Sequence, residues 1–264
     1  RRMAEGLSSM KTIFFDIETL PSLLPGVRAE FIAAVQAPAK YSKPESIAEW
    51  LRENREAEGE SAWLKTSFDG GVGHVCCIAL AVDDGPARSY QVPADGYGNR
   101  NHEAELLMAF FSDLADIGRS VLVGHNVIGF DLPFIWKRCM VLGIKPPSWF
   151  PRNPSKYSSE MVRDTMLLWD QEQRHGGSMD RICKLLGIPG KGGITGADVW
   201  PMVEAGDIEG VAAYCRADVE RTRLMFKRMT FADESQPWEA PAAPTPAASP
   251  APTVAPGAIP APAF

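Results

Sequence analysis

The order of the periodic segments constrains this chain most. Three extended runs come early: KTIFF at 11–15, VCCIALAVDD at 75–84 and ARSYQV at 87–92. The second is continuously apolar and closes on Asp-Asp-Gly-Pro, a turn signal; the third alternates. All three read as strands of an antiparallel, hairpin-joined set. Helix and strand patterns then alternate: helix 102–117, strand 120–125, helix 130–144, a short strand passing into a helix at 161–169, a small helix at 179–188, and a long helix at 208–229. A strand meander followed by such alternation predicts an α/β fold, a mixed sheet flanked by helices.

Two stretches stand outside that pattern. Residues 21–73 include the charged, roughly helical PESIAEWLRENREAEGESAWLK and read as an insertion after the first strand, with one or two helices. From Pro237 the chain is Pro/Ala-rich and holds nine of its 22 prolines, a composition that cannot bury a core. The expected organisation is a flexible N-terminus at 1–10, a folded domain at 11–232 and a disordered tail at 233–264, the tail being a place for a protein partner.

Net charge is −6, and half of it comes from Asp233, Glu234 and Glu239 in a tail without Lys or Arg. That balance excludes a protein that coats duplexes by massed phosphate neutralisation, but not one that holds a few nucleotides. No apolar run approaches the ~20 residues of a membrane span, and the N-terminus shows no secretory signal. Cys76, Cys77, Cys139, Cys183 and Cys215 are scattered, with no CxxC pair. They read as buried structural thiols in a reducing cytoplasm.

The chemistry lies in three short blocks. TIFFDIETL carries an apolar run into Asp16 and Glu18, which alternation puts on one side of a strand. Two adjacent carboxylates repel, and a divalent cation relieves them; oxygen ligands of this kind suit Mg²⁺ or Mn²⁺. GHNVIGFDLPF carries Asn126, Phe130 and Asp131 from a strand end through a turn into a helix. Taken alone, Asp131 reads as a helix cap. YCRADVERT puts Tyr214 and Asp218 one helical turn apart on one face. Asp164, in RDTM, reads as the N-cap of a helix.

Together these blocks resemble the DEDDy-type 3'–5' exonucleases of the ribonuclease H-like (DEDD) superfamily. FDIET is similar to their first motif, N-x-x-x-F-D at Asn126, Phe130 and Asp131 to the second, and Y-x-x-x-D at Tyr214 and Asp218 to the third. The likeness is strongest to the proofreading domain of family B DNA polymerases and its stand-alone relatives. It covers about residues 11–230, without the insertion, and no polymerase motif is present. Ala213 stands where the histidine variant of the superfamily has its histidine.

The resemblance implies a ribonuclease H-like five-stranded sheet and a two-metal phosphodiester hydrolase releasing nucleoside 5'-monophosphates. It implies catalytic roles for Asp16, Glu18, Asp131, Tyr214 and Asp218, the four acids holding two Mg²⁺ or Mn²⁺ ions and Tyr214 orienting water. Thr19, Leu20, Asn126 and Phe130 are the implied substrate contacts. The expected partner is a single-stranded nucleic-acid 3' end, DNA ahead of RNA. Two alternatives stay open: an RNA-trimming exonuclease with the same metals, and a catalytically idle module that binds nucleic acid or protein.

Overall fold

The structure is a computed structural model, which describes residues 10–152, 161–171 and 177–232. The expectations of a flexible N-terminus and a disordered tail fall, but for Met10, outside the described residues. Five strands form one mixed sheet in the order β3-β2-β1-β4-β5. They are β1 (Thr12–Leu20), β2 (His74–Val82), β3 (Arg88–Gln91), β4 (Val121–Gly124) and β5 (Val162–Asp164). β1 pairs antiparallel with β2, and β2 with β3, whereas β4 runs parallel to both β1 and β5. The mixed sheet follows the predicted element order.

The central strand is longer than its apolar residues alone suggest. Expected to stop near Phe15, β1 runs on to Leu20, because β2 offers a backbone ladder of equal length. Asp16 pairs with Ala79 and Glu18 with Cys77, and the register shifts only between Glu18 and Thr19. The acids therefore sit within a strand, where pleating fixes their direction, rather than in a loop beyond it.

Eight α-helices are present among the described residues. They are α1 (Val27–Ala33), α2 (Pro44–Leu64), α3 (Arg100–Ile117), α4 (Asp131–Leu142), α5 (Thr165–Trp169), α6 (Met179–Leu185), α7 (Val199–Glu204) and α8 (Ile208–Met229). Alternation along β1 assigns its faces. Phe15 packs on Phe110 of α3, ring centroids 6.2 Å apart, and Phe14 packs edge-on against Phe226 of α8 at 5.8 Å. Fully burying a phenylalanine is worth about 1.5–3 kcal/mol, so these two rings clamp a helix to each side of the sheet. Asp16 and Glu18 share the side of Phe14 and so face α8.

The insertion proves ordered: α1, α2 and a 3₁₀ turn at Lys65–Phe68. α4 ends at Leu142, two residues early, because Gly143 takes a left-handed conformation with φ 72°. α6 ends at Leu185 rather than 188, with Gly187 at φ 70° just beyond. α7, over VWPMVE, was not expected. Its Pro201 lies in the first turn, where no intrahelical N–H is lost, and a Thr195–Asp198 capping box starts the preceding 3₁₀ turn. Among the described residues, no helix is long and apolar enough to cross a membrane.

Candidate active site

Three backbone devices bring the acids together. The first is β1 itself, which presents Asp16 and Glu18 two residues apart on one face. The second is the end of β4. The β1–β4 ladder stops at Phe14 and Val123, so β1 beyond that point has a free edge. The chain turns there: Gly124 comes so close to the turn that a Cβ on it would lie 2.6 Å from that of Val127, and Asn126 adopts φ 58°. The turn delivers Asp131 as the first residue of α4. The third is α8. Its buried stripe of Val211, Tyr214, Cys215, Asp218, Val219, Thr222 and Met225 follows helical spacing. Tyr214 and Asp218 lie on that stripe, which faces the sheet.

Glu18, Asp131, Asp218 and Tyr214 are buried, while Asp16 keeps part of its surface. Metal-ligating atoms of Asp16, Glu18 and Cys215 lie within 4.8 Å of one another. Burial raises the Asp16 carboxyl well above its ordinary value, and the neighbouring charges of Asp131, Glu18 and Asp218 add to the rise. Burial and then Asp218 do the same for Glu18. Asp131 is pushed up to about 7, chiefly by burial, against the opposing pull of backbone N–H groups. Like charges crowded in a dry site resist ionisation. Such a set is relieved by divalent cations, and its all-oxygen donors fit Mg²⁺ or Mn²⁺. Cys215 is the soft neighbour. Its thiol sits 3.4 Å from the Asp16 backbone carbonyl, and burial pushes its pKa well up, so it stays a protonated thiol packed under Asp16.

Lys191 reads from the sequence as a solvated charge by default, with a phosphate contact as the alternative. Its Nζ instead donates to the Tyr214 hydroxyl at 2.8 Å and to an Asp218 carboxylate oxygen, and sits 4.9 Å from the Tyr214 ring centroid. Burial would lower its pKa, but Asp218 and Tyr214 outweigh that and the net shift is upward. Arg221 donates to the other Asp218 oxygen at 2.7 Å and to the carbonyls of Pro189 and Gly190, bracing the segment that bears Lys191. Burial raises the Tyr214 pKa above its ordinary value, so the group is a phenol at neutral pH. With Lys191 bonded to its oxygen, its own O–H is left to donate. The glycines around Lys191 at 190, 192 and 193 are the cue in the sequence to a close turn.

Asp164 caps α5 through the Met166 N–H at 2.9 Å, as expected. It also accepts from the N–H groups of Asn126 at 2.9 Å and Ile128 at 3.1 Å, fastening the turn that precedes Asp131. His125 bonds Thr165 at 2.9 Å, and burial lowers its pKa. Of the expected substrate contacts, Asn126 and Phe130 are partly exposed on this turn. Thr19 is partly exposed, its hydroxyl donating to the Ser67 carbonyl at 2.8 Å. Leu20 has no exposed surface and lies in the core.

The mixed sheet thus carries clustered carboxylates at its centre, with a tyrosine and a lysine beside them. A family model described as "Predicted 3'-5' exonuclease related to the exonuclease domain of PolB" matches residues 62–237. That is more than half of the chain, which therefore belongs to this family of 3'–5' exonucleases. The match begins after β1, so the place of Asp16 and Glu18 is known from the structure. Among solved structures, the chain is similar to the family B DNA polymerase of the hyperthermophilic archaeon Pyrobaculum calidifontis. Identity is 17% and the TM-score 0.54, over 84% of this chain and 24% of the polymerase chain, a likeness of fold. The chain thus spans about a quarter of that polymerase. No curated protein matches the sequence.

Proposed function

We propose that this 3'–5' exonuclease removes nucleoside 5'-monophosphates one at a time from single-stranded DNA. The observation that carries the reading is the convergence of Asp16, Glu18, Asp131 and Asp218, in which burial and the neighbouring carboxylates raise the Asp16 and Glu18 carboxyls well above their ordinary values. Two divalent ions, Mg²⁺ or Mn²⁺, held by these acids would supply Lewis-acid activation of a water and charge stabilisation at the departing 3'-oxygen. Asp16, Glu18, Asp131 and Asp218 would hold these ions.

The protein's own groups do the positioning. Tyr214, a phenol rather than a phenolate, orients the attacking water by hydrogen bonding and does not take its proton. Lys191 holds that phenol and the Asp218 carboxylate in register, and its charge would stabilise negative charge building on a phosphate beside them. Asn126 and Phe130, partly exposed on the turn before Asp131, grip the terminal nucleotides, the ring by stacking that tolerates any base. Thr19 contacts the terminal sugar side, and Leu20 supports it from the core.

DNA is favoured because the family is related to a DNA polymerase domain. The catalytic unit is residues 11–232, and the Pro/Ala-rich tail is the segment offered to a protein partner. All five cysteines are free, which suits the cytoplasm. The test is hydrolysis of matched single-stranded DNA and RNA oligonucleotides, labelled at the 5' end, with Mg²⁺, Mn²⁺ or EDTA. Metal-dependent shortening of DNA from the 3' end is expected; faster shortening of RNA would replace DNA as the substrate.

A further inference from the structure

The insertion between β1 and β2 ends in a turn whose side chain is unusual. Phe68, the last residue of the Lys65–Phe68 3₁₀ turn, is 71% exposed. The backbone beneath it is firmly tied. The Ser67 carbonyl takes the Thr19 hydroxyl at 2.8 Å, and Thr19 directly follows Glu18. The Thr66 hydroxyl accepts from the Ser22 N–H at 2.7 Å and donates to the Trp63 carbonyl at 2.6 Å. The Asp69 carboxylate takes Lys137 of α4 at 2.6 Å. A large apolar ring is thus held in water by a turn anchored both to the acid-bearing strand and to the helix that Asp131 opens.

The ring is not isolated. It meets Phe130 edge-on, centroids 6.2 Å apart and planes at 63°, and Phe130 directly precedes Asp131. An edge-to-face pair leaves ring faces free, and the fixed backbone keeps the ordering cost of a stacking partner low. We propose that Phe68 is a base-stacking platform, which with Phe130 grips an unpaired nucleobase at the 3' end of the strand. The insertion thereby contributes directly to substrate binding. This rests on the exonuclease reading and adds to it a residue from outside the three motif blocks. The competing reading is that Phe68 merely extends the Phe130–Phe134 packing, whose centroids lie 5.6 Å apart.

The experiment compares Phe68→Ala and Phe68→Trp with the unmodified protein on two oligonucleotides. One ends in ordinary nucleotides; the other carries abasic residues at its last three positions. Phe68→Ala should lower kcat/KM on the ordinary strand by about 5- to 150-fold, the range that base–aromatic stacking is worth. It should change kcat/KM on the abasic strand less than twofold, and Phe68→Trp should retain most of the activity. Equal losses on both strands, or none on the ordinary one, would overturn the proposal. In parallel, binding of an oligonucleotide with 2-aminopurine at its 3' end is read by fluorescence in EDTA. Weaker binding by Phe68→Ala supports the platform even if no strand is hydrolysed, an outcome that sinks the exonuclease reading alone; unchanged binding counts against the platform.

Discussion

Arg138→Met should destabilise the fold sharply, because it strips the partner from a buried acid. Arg138 on α4 and Glu103 on α3 are each 2% exposed. The guanidinium grips the carboxylate with two bonds, at 2.7 and 2.6 Å, and also reaches the Gly70 carbonyl at 3.2 Å. Glu103 further accepts from the Val75 N–H at 2.9 Å and pairs with His74 at 3.1 Å. The cluster joins two helices, the start of β2 and the turn after Phe68. Removing one partner of such a pair costs about 3–5 kcal/mol, which for a domain of this size lowers Tm by about 6–20 °C. Glu103→Gln added to Arg138→Met should recover at least half of the loss, since the amide oxygen keeps the Val75 bond and no charge is left unpaired. The pH dependence carries a signature. Burial pushes the Glu103 carboxyl up, but bonds from His74 and Arg138 reverse it, so the net shift is below its ordinary value of 4.5. A lowered carboxyl stabilises the fold above its unfolded pKa and ceases to as pH falls through its folded one. The gap between the unmodified protein and Arg138→Met should therefore be full at pH 7 and shrink below about 4.5. Thermal melts followed by circular dichroism measure both. A loss under about 1 kcal/mol in the single variant, or no recovery in the double, would refute this reasoning.

Tyr214→Phe should lower kcat by about 10- to 100-fold with KM within twofold, since it removes an orienting hydroxyl; a raised KM at constant kcat would make Tyr214 a binding group. Asp164→Ala frees three backbone N–H groups and should cost ~2–4 kcal/mol in urea unfolding, together with activity, because the turn before Asp131 loosens; unchanged stability would contradict its bracing role. Asp131 is an acid whose folded pKa is raised to about 7, so the metal-free protein should lose stability as pH rises from about 4 to 7. Asp131→Asn should remove part of that slope, up to ~4 kcal/mol, with Tm in EDTA at pH 5 and 8 as the readout. An unchanged slope would show that Asp131 ionises freely.

Much of this architecture could be read from residue patterns, for local reasons. The segment 208–229 became α8 residue for residue, since a 3.6-residue apolar stripe over 22 residues has few other solutions. Asp131 opened a helix and Asp164 capped one, because capping is short-range chemistry. Elements decided by partners were harder to foresee. The length of β1 depends on β2, more than 50 residues away in the chain. α7 is too short and too mixed to declare a period. Site residues split in the same way. The acids were legible only as a set of three motif blocks; taken alone, Asp131 reads as a helix cap. Lys191 lies in a glycine-rich segment without periodicity, and only folding brings its amine to Tyr214 and Asp218. Cys215 and Phe68 were hidden similarly: one looks like any core thiol, the other like any loop aromatic.

The central claim is that the carboxylate cluster hydrolyses a strand from its 3' end. The most direct measurement follows a 5'-labelled single-stranded DNA oligonucleotide with time, in Mn²⁺, alongside Asp16→Asn and with the released nucleotides identified by mass. The account predicts a stepwise ladder of shortened strands and nucleoside 5'-monophosphates. It predicts no ladder from folded Asp16→Asn, whose metal-free form should melt no lower than the unmodified protein. An equal ladder from Asp16→Asn, or intact DNA with the folded unmodified protein, would contradict it.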